Sequence, residues 1–197
     1  MSFTRYASLK GRTVIVTGGA SGIGAAFVRA FAANEARVAF LDLQEEAGAA
    51  LAADSGALFV RCDLTDIAAL RDALDKARAA LGPAAVLVNN AANDQRYAFA
   101  SITPAEFDRT VAVNYRHVFF AAQAVVPQMR ELGYGSIVNM ASGVGRRGMS
   151  LREAYASRKA AIFGFTSVLA RSLGPGRIRV NAIAPGTVST ERQRRLW

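Results

Sequence analysis

The chain has 197 residues, 52% of them hydrophobic and 20% charged, the composition of a folded globular protein rather than a disordered, collagenous or disulfide-stapled one. A single cysteine, Cys62, excludes an intramolecular disulfide and a four-cysteine metal site, and a single histidine, His117, excludes zinc sites that need two imidazoles, so no metal is expected. The formal charge of +9 comes from scattered arginines whose only clusters, Arg146-Arg147 and Arg192 to Arg195, are too short for a basic arm, so no nucleic-acid partner is expected.

No apolar run approaches the ~20 residues of a membrane span. Met1 to Gly11 carries two positive charges but no apolar segment of a secretory leader. A cytoplasmic protein with no membrane partner is expected, folded as one domain over 1–197.

In chain order, short β-branched or apolar runs alternate with longer helical stretches. Thr13 to Thr17 reads as a strand and Ile23 to Asn34 as a helix. Arg37 to Leu41 is the second strand and Gln44 to Ala53 the second helix, followed by strand Leu58 to Arg61 and helix Asp66 to Leu81. Val86 to Asn89 is the fourth strand. Pro104 then opens one long helix ending near Leu132, before strand Ser136 to Met140, helix Glu153 to Leu173 and the last clear strand, Ile178 to Ala184. Strict alternation, with strands apolar throughout, argues a doubly wound α/β fold in which helices cover both faces of a parallel sheet. The sequence stops at Trp197 without the helix and edge strand that normally cap such a sheet. Either the protein continues or the sixth strand is left as an exposed edge.

Thr17-Gly18-Gly19-Ala20-Ser21-Gly22-Ile23-Gly24 stands between the first strand and the first helix. Glycines at 18, 22 and 24 let the backbone turn tightly and approach a pyrophosphate, while the helix N-terminus supplies free N–H groups and partial positive charge. Asp42, 18 positions past Gly24, is close to the ~20 expected of the carboxylate that binds the adenosine ribose hydroxyl. That carboxylate would repel a 2′-phosphate, and no basic residue stands in the glycine turn or just after Asp42, so NAD is preferred over NADP. Asp63, in Cys62-Asp63-Leu64 just after the third strand, is placed to reach the adenine edge. Cys62 itself reads as a small buried hydrophobe.

Tyr155 and Lys159 stand at i and i+4 of a helix and face the same way. A lysine ammonium beside a phenol stabilises the phenolate, which makes tyrosine a usable general base near neutral pH. Ser142 ends the fifth strand, at the carboxyl edge where open α/β sheets place their sites. In that order, the glycine turn, Asn89-Asn90-Ala91, Asn114, Ser142, Tyr155 with Lys159, and Pro185-Gly186 resemble the short-chain dehydrogenase/reductase family over essentially the whole chain.

The resemblance implies nicotinamide-dependent oxidation or reduction. Tyr155 would take the substrate hydroxyl proton, Ser142 would hydrogen-bond the reacting oxygen, and Lys159 would lower the tyrosine pKa and hold the nicotinamide ribose. Asn114, read as mid-helix, would hold a water that links Lys159 to solvent. Asn90 and Ala91 would support the cofactor ribose and the sheet, and Pro185, Gly186, Val188 and Thr190 would lie against the nicotinamide. His117 matches none of these motifs and reads as a helix-surface or satisfied core histidine.

The loops Asn89 to Arg96 and Thr187 to Gln193 look like those of family members that oxidise free aldoses such as xylose to lactones. Asn93, Asp94, Gln95 and Arg192 would meet the hydroxyls of a small-molecule alcohol or sugar. Two alternatives stay open. One is a reductase of 3-oxoacyl thioesters or small ketones. The other is a catalytically idle cofactor-binding protein, since in the family the last helix and strand complete the substrate pocket and a subunit interface. The helices around 104 to 132 and 153 to 173 are apolar on more than one face, which points to a homodimer or homotetramer.

Overall fold

The computed structural model describes residues 4–191 and Arg194. Six parallel strands form one sheet in the order β3-β2-β1-β4-β5-β6: β1 Thr13–Thr17, β2 Arg37–Asp42, β3 Leu58–Arg61, β4 Ala84–Asn89, β5 Gly135–Met140 and β6 Ile178–Ile183. The helices between them are α1 Gly22–Ala33, α2 Glu45–Ser55, α3 Ile67–Leu81, α4 Pro104–Val111, α5 His117–Leu132, α6 Val144–Arg147 and α7 Glu153–Leu173. No helix among the described residues is long and apolar enough to cross a membrane.

The central strands β1, β2 and β4 are apolar on both faces because both faces are covered. Val14, Val16, Val38, Phe40, Val86 and Val88 pack with Val28 and Leu51 on one side. Ile15, Leu41, Leu87 and Ile137 pack with Leu70, Leu74, Val125 and Met129 on the other. From β1 the chain winds outward through β2 to β3, then α3 carries it back to β4 on the other side of β1. The strand order therefore reverses between β1 and β4, and the crevice outside their carboxyl ends is where open α/β sheets bind ligands.

Most element boundaries agree with the sequence reading to within two residues. The expected single helix from Pro104 to Leu132 instead divides. Thr103 and Glu106 form a capping box at its start, and Ala112–Arg116 then winds as a π-helix between α4 and α5. Asn114 therefore lies in the wider π turn rather than in the middle of a regular helix, a local irregularity that frequently marks functional sites. Strand β5 stops at Met140, so Ser142 stands two residues beyond its end. The short α6, which periodicity did not reveal, follows directly.

Candidate functional site

At the carboxyl ends of β1 and β2 the glycine turn is bound from several directions. Gly18 and Gly22 have φ of +65° and +56°, backbone that L side chains rarely adopt. A Cβ on Gly18 would stand 2.6 Å from Ala91 Cα, and one on Gly24 would collide with the Gly18 carbonyl. Asn90 straps the turn, its Nδ2 donating to the carbonyls of Thr17 at 3.1 Å and Gly18 at 2.8 Å. The Thr17 hydroxyl accepts from the N–H groups of Asn90 and Ala91.

Asp42, 8% exposed at the end of β2, accepts from the Ala20 N–H at 2.9 Å through one oxygen. Its other oxygen accepts from the Gln44 N–H and Nε2, and that same Nε2 donates to Ser21 Oγ at 3.0 Å. The carboxylate thus fixes the turn as well as marking the end of β2. Gln44 went unnoticed in the sequence because nothing but the fold brings it over Ser21.

Asp63 Oδ1 accepts from both the N–H and the hydroxyl of Thr65, and these bonds hold its carboxyl below the usual range. The Leu64 side chain is buried in the core, leaving its backbone as the part that could meet a ligand. Cys62 is buried as expected, and burial pushes its thiol up to about 11.

A cleft of about 280 Å³ opens beside this turn. Ser142, Tyr155 and Lys159 line it together with Ile23, Asn90, Asp94, Arg147, Arg152 and the segment Pro185 to Thr190 without Ser189. A smaller hollow of about 200 Å³, between Ala32 and Leu81, contains none of these groups. Lys159, 2% exposed, donates from Nζ to the Met140 carbonyl at 2.6 Å and stands 5.8 Å from the centre of the Tyr155 ring. Burial lowers its pKa to about 8. Ser142 Oγ accepts from the Val144 N–H at 3.3 Å. The Gly143 N–H donates to the Pro185 carbonyl, joining the loops after β5 and β6, and Thr190 lies beside Gly22.

Asn114 is fully buried and its side chain clamps a loop. Its Oδ1 accepts from the Asn93 N–H at 2.9 Å, and its Nδ2 donates to the carbonyls of Asn93 and Thr110. Asp94, next in the chain, lines the cleft and pairs with Arg152 Nη1 at 3.2 Å. Asn93 and Gln95 are not among the lining residues, and Gln95 is exposed, its N–H bonded to Asn93 Oδ1. Arg192 lies outside the described residues.

Arg152 and Arg147 were missed in the sequence. The spacing of Arg152, three before Tyr155, could have flagged it, whereas Arg147 sits on the unforeseen α6. Of the two positions open to His117, the fold gives the core one. It is fully buried, the Ala112 and Val113 carbonyls approach its ring without a hydrogen bond of full geometry, and burial followed by the Lys159 charge drives its pKa down to about 3.

The family model for short chain dehydrogenases matches residues 12–197. The chain belongs to the short-chain dehydrogenase family. As a short-chain dehydrogenase it is an oxidoreductase dependent on a nicotinamide cofactor and acting on small molecules. It is 50% identical to a probable galactose dehydrogenase of Rhizobium meliloti, over 98% of this chain and 78% of that protein. It is 42% identical to the D-xylose 1-dehydrogenase of Caulobacter vibrioides, over 100% of this chain and 80% of that protein. Among solved structures, the NADH complex of a 3-ketoacyl-(acyl-carrier-protein) reductase from Brucella melitensis superimposes with a TM-score of 0.89 at 29% identity, over 93% of this chain and 78% of that one.

The glycine turn fits a dinucleotide on structural grounds. Positive φ at Gly18 and Gly22 and the absent Cβ atoms leave bare backbone at the start of α1, whose N-cap Ser21 makes no side-chain cap.

Proposed function

We propose that this short-chain dehydrogenase oxidises an aldose at its anomeric CH–OH to the lactone, using NAD. The observation that carries the reading is one cleft that unites Ser142 and the Tyr155–Lys159 pair with the charged Asp94 and Arg152 at the carboxyl ends of the strands. The relatives named for galactose and xylose support the sugar, and no observation favours the ketone or thioester reductase over it.

In this mechanism the Tyr155 phenolate takes the hydroxyl proton while Ser142 Oγ donates to the reacting oxygen. The buried Lys159 ammonium favours the phenolate through its charge. It is held by the Met140 carbonyl, so it can do this without side-chain reorganisation. The nicotinamide, when bound, supplies the acceptor for the hydride. Gly18, Ser21, Gly22, Ile23 and Gly24 would face the pyrophosphate, with Asp42 at the adenosine ribose, Asp63 and the Leu64 backbone at the adenine, and Asn90 and Ala91 bracing the turn. Lys159 would also hold the nicotinamide ribose, and Pro185, Gly186, Val188 and Thr190 would cover the nicotinamide. Asn114 contributes by fixing the Asn93 backbone. Its side chain is fully engaged there, so a water linking Lys159 to solvent would rest on the main chain of the π turn.

Asp42 underlies the preference for NAD, since a second anion beside a carboxylate this buried is repelled. The assembly we infer is a homodimer or homotetramer through α5 and α7. There Phe119 is 42% and Val168 67% exposed, and Phe119 stacks 5.3 Å from Phe165. The reading is tested by supplying purified protein and NAD with galactose, xylose and simple secondary alcohols, and trapping the lactone with hydroxylamine. NADH and trapped lactone from an aldose are expected. Turnover of the simple alcohols alone would overturn the sugar.

A further inference from the structure

Two charged side chains meet inside the cleft from loops far apart in sequence. Asp94 comes from the segment after β4 and Arg152 from the position just before α7, and their Nη1–Oδ2 contact is 3.2 Å. Both are largely shielded, with side chains 12% exposed for Arg152 and 16% for Asp94. Every other ion pair among the described residues lies on the surface, with both partners far more exposed.

Both members are also tied to the reacting groups. Arg152 precedes Tyr155 by three residues, almost one helical turn. Asp94 follows Asn93, whose backbone N–H and carbonyl are both held by Asn114. Asp94, Arg152, Tyr155 and Ser142 all line the same cleft, so a substrate whose hydroxyl reaches Tyr155 and Ser142 shares that cleft with the pair.

We propose that the Asp94–Arg152 ion pair selects uncharged polyhydroxyl substrates, and that Asp94 keeps Arg152 from capturing a substrate carboxylate. This rests on the oxidoreductase reading given above. A carboxylate only accepts hydrogen bonds and a guanidinium only donates them. Adjacent sugar hydroxyls do both and so match the edge of the pair, whereas an apolar alcohol leaves shielded charges facing carbon, the situation that gives polar sites their strongest discrimination.

The charge balance decides between neutral and acidic sugars. Asp94 cancels Arg152 at contact distance. Among the described residues, the other cations that line the cleft are Arg147, which is exposed and screened, and Lys159, which is engaged with the Met140 carbonyl. Without Asp94, the planar fork of Arg152 would be left in a shielded site, well suited to bidentate binding of a carboxylate.

The test compares substrates that differ only in CH₂OH against carboxylate, galactose with galacturonate and propanediol with lactate, using NAD and the wild-type, Asp94→Asn, Arg152→Gln and doubly substituted proteins. NADH binding reports that each variant is folded. Wild type should prefer the neutral member of each pair. Asp94→Asn should shift the neutral-to-acidic ratio of kcat/KM toward the acid by about tenfold or more, the effect of one uncompensated charge in a partly shielded site. Arg152→Gln should show no such shift, and adding it to Asp94→Asn should abolish the gain. Equal loss on both members in Asp94→Asn, or a gain that persists in the double variant, would overturn the proposal. Silent aldoses with active propanediol would refute the sugar reading, while the propanediol-to-lactate ratio would still decide the role of the ion pair. Silence on every substrate with NADH still bound would overturn both.

Discussion

The two sides of the cleft are built differently. The side proposed for the cofactor is a backbone construction, in which Asn90, Asp42 and Gln44 bond to the main chain or the Ser21 hydroxyl of the glycine turn and Thr17 holds the backbone of Asn90 and Ala91 against it. The side proposed for the substrate is a side-chain construction, in which Ser142, Arg152 and Asp94 stand outside the strands and helices and Arg147 ends the one-turn α6. A turn that admits only glycine at Gly18 and Gly22 leaves a strong trace in sequence. A cleft wall assembled from single side chains on loops leaves little, which is also why one cofactor frame can serve many substrates.

The most severe break on the cofactor side should come from Gly24→Ala. The added methyl collides with the Gly18 carbonyl, and backbone cannot step aside as a side chain can. Loss of NADH binding and a stability loss of roughly 3 kcal/mol are expected, read by fluorescence titration and thermal melting.

His117, buried and close enough to feel the Lys159 charge, sharpens the comparison through pH. Its folded pKa of about 3 lies below the ordinary 6.5, so the unfolded chain binds its proton first. Stability from this residue is therefore intact above pH 6.5 and is lost as pH falls toward 3. The loss should amount to a few kcal/mol at about 1.4 kcal/mol per pH unit. Lys159, lowered from 10.5 to about 8, changes charge only above that window, so its cost is constant within it. Melting temperature against pH should accordingly fall less steeply in His117→Leu than in wild type. Identical slopes would show that His117 takes up its proton in the folded state.

A smaller effect is expected from Asp42→Asn, which keeps an acceptor for the Ala20 N–H but removes the charge. The ratio of NAD to NADP efficiency should drop by about tenfold. An unchanged ratio would reduce Asp42 to a brace for the turn.

The doubly wound sheet could be read from the sequence because both faces of the central strands are covered, which makes those runs apolar, and because most crossovers are recognisable helices. Tyr155 and Lys159 could be read because their i, i+4 spacing on α7 survives in the fold. Asn114 was legible as a position but not as a shape, since a π turn adds a residue to a helix without disturbing its apolar pattern. His117 was left between a surface and a core position because a lone imidazole on a helix does not decide between them, and the fold places it in the core. Arg152 escaped because its partner lies 58 residues away, and no local pattern records a contact that only the sheet creates.

The central claim is that chemistry resides in Tyr155 on the substrate side while the cofactor frame stands independently. It is tested most directly by measuring turnover and NADH binding on one preparation of Tyr155→Phe. Abolished turnover with NADH binding retained is the predicted result, because phenylalanine keeps the ring beside Lys159 and removes only the group that takes the proton. Turnover that survived the substitution would contradict the account.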